Sequence, residues 1–145
     1  MQGKRHKIYI DENLAPQLAR AMNVIQEHLN TEEKKAIEVH SLKDAFTQGI
    51  KDEDWIPLVG QQEGVVITQD RHIQSSRHQR ELYMSNGVGI IFLKCPKGGM
   101  TFWQMFVNIV NDWNKIKQIV RCNKTPFAFR KPGKNKNFEE WTIED

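Results

Sequence analysis

The feature that most limits what this chain can fold into is a design used twice: a short apolar run that stops on an acid. Ile8-Tyr9-Ile10 ends on Asp11-Glu12-Asn13, and Val65-Val66-Ile67-Thr68-Gln69 ends on Asp70. Runs this short with no polar alternation fit strands buried on both faces, as in a parallel sheet. The carboxyl ends of such strands line the ligand crevice of an open α/β sheet. Two of them would bring Asp11 and Asp70 to one edge from opposite halves of the sequence.

The rest of the chain supplies the crossovers. Leu14, Leu18, Ala19, Met22 and Ile25 recur at helical spacing, with Asn13 as a cap and Pro16 in the first turn. The pattern fades over 23–33, which reads as a second helical piece or a loop. Ala36 to His40 alternates as a second strand, and 43–51 has loop or short-helix character. Asp52-Glu53-Asp54 places acids at the positive end of a helix that turns apolar at Trp55, Ile56, Leu58 and Val59. Pro57 belongs near its first turn, and Gly64 closes it as a C-terminal glycine. A short helix within 72–81 leads through Asn86-Gly87 into a buried strand, Val88 to Leu93. Thr101 caps a long helix that turns Phe102, Met105, Phe106, Ile109, Val110, Trp113, Ile116, Ile119 and Val120 inward and ends at Asn123. Pro126 to Arg130 forms a late strand, and Phe138 and Trp141 pack back on the body. Strands alternating with helices predict an α/β fold with a mainly parallel sheet. With no linker or repeat, 1–145 reads as a single domain. Its tail, 131–145, runs from basic to acidic and is expected to be ordered in part.

At 145 residues the chain can bury about two-thirds of its unfolded surface. The net charge of +3 conceals an uneven distribution, because Arg121, Lys124, Arg130, Lys131, Lys134 and Lys136 fall in one segment without an acid. Such a segment either follows a phosphate backbone or is simply solvated. Cys95 and Cys122 lie far apart and in no metal-ligand spacing, which argues against a disulfide scaffold and suits a reducing cytoplasm. No apolar run approaches the roughly 20 residues of a membrane span, so a cytoplasmic protein with no membrane partner is expected. P-loop, dinucleotide, HExxH and nucleophile-elbow patterns are absent from the sequence.

That leaves the carboxylates. Asp11, the Asp52-Glu53-Asp54 group and Asp70 all fall where a crevice should be. Hard cations such as Mg²⁺ and Mn²⁺ take one or two carboxylates plus water and phosphate oxygens. Clustered acids without a cation would repel one another. Each acid could equally cap its own helix or turn. Thr68 and Asn13 could orient the acids, or serve their own backbone. Arg71, Arg77, His78 and Arg80 could hold phosphate or form a solvated face. His40 reads as a satisfied histidine, and the stripe of Phe102, Phe106 and Trp113 as core.

Taken in order, Ile8 to Leu14, Asp52-Glu53-Asp54-Trp55-Ile56, and Val65 to Arg71 resemble the PIN-like domains of the VapC-type toxin group. The match is to a subgroup with DEN at the first strand, DEEW at a helix start and a DR pair after a later strand. The likeness extends to about Phe129 and includes Phe102-Trp103 at the start of the long helix. It implies an α/β/α sandwich and a Mg²⁺- or Mn²⁺-dependent ribonuclease acting on exposed single-stranded RNA, as the toxin of a type II toxin–antitoxin pair masked by an antitoxin protein. A homodimer is compatible with it. Carried over residue by residue, Asp11, Asp52 and Asp70 are the catalytic acids. These three and Glu53 are the metal ligands, and Asn13, Thr68 and Arg71 position the acids and the phosphate. Many members carry a fourth acid two residues after the last, where this chain has His72. That departure keeps an alternative open, a catalytically silent PIN-like module that binds RNA or a protein.

Overall fold

Alternation along the first strand, His6–Ile10, decides which side of the sheet everything else packs on. Ile8 and Ile10 belong to one buried cluster and Tyr9 to another. A computed structural model of the chain describes residues 5–11, 14–46, 49–69, 76–133 and 136–141. In chain order these form β1 (His6–Ile10), α1 (Pro16–Leu29), β2 (Ile37–Ser41), α2 (Leu42–Ala45), α3 (Asp52–Gln61), β3 (Val65–Thr68), α4 (Arg77–Ser85), β4 (Gly89–Leu93), α5 (Phe102–Cys122), β5 (Ala128–Lys131) and β6 (Glu139–Glu140).

The described strands make one sheet in the order β2-β1-β3-β4-β5-β6. Every neighbouring pair is parallel except β5 with β6. One face, carrying Ile8, Ile10, Val65, Ile67, Ile91 and Leu93, is covered by α1 and α5. The other, carrying Tyr9, Val66, Ile90 and Phe92, is covered by α3, by Tyr83 of α4 and by Trp141. The architecture is therefore α/β with helices on both faces of a mostly parallel sheet, as the strand–helix alternation predicts. No helix among the described residues is long and apolar enough to cross a membrane.

Several local expectations need correction. Helix α1 does not fade at Asn23 but runs on to Leu29, because its polar residues have fixed partners inside. Asn23 Oδ1 accepts from the Val39 amide at 2.9 Å. Gln26 is fully buried and takes the inward place expected for Ile25, which is 43% exposed. The N-cap of α1 is Ala15, with no side-chain bond, and Pro16 is its first residue; Asn13 lies outside the described residues. In α3 the N-cap is Lys51, and Pro57 stands sixth, beyond the first turn. At its end the left-handed residue is Glu63, at φ 56°, not Gly64. The Gly64 amide bonds Val59 O and the Glu63 amide bonds Gly60 O, both at 2.9 Å, which is a Schellman closure. Gly64 is needed for space, since a Cβ there would lie 2.6 Å from Val59 Cγ1.

Helix α5 begins with the expected Thr101 cap, reinforced by Gln104 in a reciprocal capping box. Its inward face keeps Ile109, Trp113, Ile116, Ile119 and Val120 of the expected stripe but is not wholly apolar. Asp112 and Lys117 are buried, while Phe102, Trp103 and Val110 are exposed. Lys117 is accommodated by a polar cluster at the amino end of the sheet. Its Nζ donates to both Glu33 carboxylate oxygens at 2.9 and 2.6 Å, Arg121 donates to Glu33 at 2.9 Å, and Trp113 Nε1 donates to Gln26 Oε1 at 2.9 Å. Trp141 packs back as expected, 3% exposed.

Candidate active site

In the strand order the chain passes from β1 outward to β2, then returns to place β3 on the other side of β1. A reversal of this kind opens a crevice at the carboxyl ends of the two central strands. Asp11 occupies it. The Asp11 amide continues the ladder by donating to Ile67 O at 2.9 Å, and its carbonyl accepts from the Leu14 amide at 2.9 Å as the chain turns into α1. Backbone bonds on both sides thus fix where the side chain starts. Thr68 Oγ1, at the end of β3, donates to Asp11 Oδ2 at 2.6 Å. That length is typical of a hydroxyl bonded to an ionised carboxylate. Thr68 is fully buried and Asp11 is 8% exposed, so the pair is oriented within the protein and not by solvent.

Asp52 is the first residue of α3, after the carboxyl end of β2. Its Oδ1 accepts from Trp55 Nε1 at 2.9 Å and its Oδ2 from Gln79 Nε2 of α4 at 2.8 Å. It therefore ties two helix starts together instead of capping one. Trp55 lies three residues on along the same helix, a spacing at which side chains meet, so that partner could be read from sequence. Gln79 arrives from another segment and leaves no sequence signal. Glu53 and Asp54 are exposed on the first turn of α3. Asp70, Arg71, His72, Glu12 and Asn13 lie outside the described residues.

Several of the basic residues have partners of their own. Arg77 pairs with Glu81 at 2.9 Å on the helix surface. Arg80 and Arg130 lie over the Trp141 ring at 4.8 and 5.7 Å. Arg130 also pairs with Glu139, Lys131 with Asp112 and Arg121 with Glu33. Of the segment that reads as one phosphate track, Arg121, Arg130 and Lys131 are thus drawn into separate ion pairs. His40 stacks on Tyr9 at 5.3 Å, with Nε2 3.0 Å from Glu38 Oε1, which suits the satisfied histidine expected there.

Among the described residues no three of His, Cys, Asp and Glu converge closely enough to hold a metal ion. The donors at the carboxyl edge are oxygens: the Asp11 and Asp52 carboxylates and the Thr68 hydroxyl. Carboxylate oxygen without thiolate or imidazole is the chemistry of Mg²⁺ or Mn²⁺ binding. To this extent the residues fit a hard divalent cation.

A family model described as a PIN like domain matches residues 6–95, from β1 through the turn after β4. That stretch contains Asp11, Asp52, Thr68 and Asp70. No curated protein matches the chain, and no solved structure does.

Proposed function

The chain belongs to the PIN-like domain family, and on that premise we propose that it is a metal-dependent endoribonuclease. PIN domains are commonly nucleases, and the observation that carries the reading is the Thr68–Asp11 hydrogen bond across the reversal of strand order. It presents a buried, oriented carboxylate at the end of β1, and Asp70 follows β3 two residues after Thr68.

Asp11, Asp52 and Asp70 would hold Mg²⁺ or Mn²⁺, with Glu53 as an auxiliary ligand directly or through water. The cation supplies charge neutralisation at the phosphate and an activated water. Thr68 keeps the Asp11 carboxylate in one orientation. Trp55 and Gln79 do the same for Asp52, whose oxygens each retain a second acceptor site. Asn13 would help position Asp11, and Arg71 would seat a phosphate oxygen of the substrate. The substrate class is exposed single-stranded RNA, whose backbone is accessible. By the same reading the protein is a toxin of the VapC type, cytoplasmic, restrained by a cognate antitoxin and able to form a homodimer.

The test is cleavage of a mixed RNA pool by purified protein with and without Mn²⁺ or Mg²⁺. Wild type should cut only with the cation and Asp11→Asn should not. Equal behaviour of the two proteins would sink the proposal. Growth arrest on expression, relieved by Asp11→Ala, addresses the toxin role.

A second reading rests on a specific observation: both Asp52 oxygens already accept hydrogen bonds from Trp55 and Gln79. If those bonds are its whole role, the chain is a catalytically silent PIN-like module that binds RNA or a protein. Calorimetric Mn²⁺ titration separates the two. The nuclease should bind stoichiometrically and lose binding in Asp70→Asn, whereas the silent module should bind weakly and show no change.

A further inference from the structure

The carboxyl ends of β3, β4 and β5 open beneath the first half of α5 onto a cavity of about 280 Å³. Its walls are mostly apolar, built from Leu93, Pro96, Met100, Met105, Ile109 and Pro132. Two carboxamides, Gln69 and Asn108, also line it. Gln69 Nε2 is directed at Met100 Sδ at 3.7 Å and Asn108 Nδ2 at the same sulfur at 3.9 Å. A thioether is a weak acceptor, so two half-buried amides here share a partner that satisfies neither well. Lys94 and Lys131 line the same cavity, and Lys131 is held by Asp112 at 2.7 Å. Gln69 directly follows Thr68 in the chain, so the cavity begins one residue from the Asp11–Thr68 pair.

We propose that this cavity receives one unpaired nucleobase of the RNA, next to the edge where the strand is cut. The proposal rests on the nuclease reading for its substrate class. Thioether and proline surfaces suit the flat face of a base, since sulfur and ring contacts are favourable and insensitive to sequence. Carboxamides carry both a donor and an acceptor, the groups that read the edges of an unstacked base. Lys94 stands at the rim, where the flanking phosphate would pass. The volume lies just below the roughly 300–1,000 Å³ of small-molecule pockets, which leaves ample room for a nucleobase. The cavity would thus set which base flanks the cleavage site.

The methionines provide the test. Met100 and Met105 line the cavity, whereas Met22 lies in the α1 core and Met84 packs on the opposite face of the sheet. Protein labelled with [methyl-¹³C]methionine is titrated with each of the four nucleoside 5′-monophosphates at millimolar concentration, with ribose 5-phosphate as the control lacking a base. At least one nucleotide should move the Met100 and Met105 methyl signals and leave Met22 and Met84 in place, and ribose 5-phosphate should move none. Asn108→Leu, checked for folding by thermal melting, should weaken that nucleotide about tenfold, as expected when a polar partner is removed. Silence of Met100 and Met105 toward every nucleotide would overturn the proposal. So would equal shifts with ribose 5-phosphate, or movement of the Met22 and Met84 methyls together with those of Met100 and Met105. RNA cleavage by protein whose cavity methyls stay silent defeats the base pocket alone. Nucleotide-induced shifts in protein that never cuts RNA defeat the nuclease reading alone.

Discussion

Glu33 offers the sharpest test of how the core is held. Burial alone would raise its carboxyl, but hydrogen bonds from Lys117, Arg121 and Gln26 outweigh it and bring the carboxyl from 4.5 to about 2. At about 1.36 kcal/mol per unit, a shift of that size amounts to ~3 kcal/mol. The Glu33 side chain is 26% exposed, and solvent screening lowers the figure to about 2 kcal/mol. Because the folded-state value is depressed, this stabilisation is fully present above pH 4.5 and is lost as pH falls toward 2. By pH 2.5 roughly three-quarters of it should be gone. Glu33→Gln removes the titration and leaves Lys117, 3% exposed, without its counter-charge. Urea unfolding at pH 7 should show a loss of about 2–3 kcal/mol, and the gap from wild type should narrow by about 1.5 kcal/mol at pH 2.5. Parallel stability curves for the two proteins from pH 5 to 2.5 would refute the reasoning.

Thr68→Val keeps the shape but removes the donor to Asp11. It should cost about 1.5–3 kcal/mol, and in a double-mutant cycle with Asp11→Asn the two losses should fall short of additive by more than ~0.5 kcal/mol. Asp52→Ala frees the Trp55 indole and the Gln79 amide and should lower stability by about 2 kcal/mol. Asp52→Asn should recover most of that in a thermal melt while still failing to support Mn²⁺-dependent cleavage. Gly60→Ala would put a Cβ 1.8 Å from the Asn86 carbonyl oxygen. It should destabilise by about 3 kcal/mol or more in urea unfolding, because backbone atoms on both sides of that contact must move.

How legible this was in the sequence depends on the kind of residue. The strands at Ile8 and Val65 could be read directly, because continuous apolar runs on a two-face-buried sheet allow few other fates. The acidic start of α3 and the Thr101 cap were equally plain, since the physics of a helix end is local. What periodicity missed was polar burial. Gln26, Lys117 and Asp112 sit on inward helix faces and look like solvent positions until Trp113, Glu33 and Lys131 arrive from elsewhere in the chain. Ile25 and Phe102 erred in the opposite direction for the same reason: a hydrophobic period marks a stripe, and the neighbouring helix decides where the stripe ends. In the site, Thr68 as the partner of Asp11 was foreseeable because both end adjacent strands. Gln79 was not, because nothing local to either segment marks its contact with Asp52.

The two ends of the sheet are built by different rules. At the amino end, Gln26, Glu33, Trp113, Lys117 and Arg121 form a connected network in which most members have more than one partner. Such a network rigidifies packing: loss of Glu33 takes the carboxylate from buried Lys117, and loss of Gln26 takes the acceptor from the Trp113 indole. At the carboxyl end the acids are held separately, Asp11 Oδ2 by Thr68 and the Asp52 oxygens by Trp55 and Gln79. The Glu33 network shares none of these bonds and lies at the other end of the sheet, so it can be perturbed without removing the partners that hold the acids. On this view the Glu33 cluster and the Asp11 edge are separable. Glu33→Gln weakens the scaffold without touching the chemistry, whereas Thr68→Val disturbs both, because Thr68 alone among the described residues closes β3 and orients an acid in one bond.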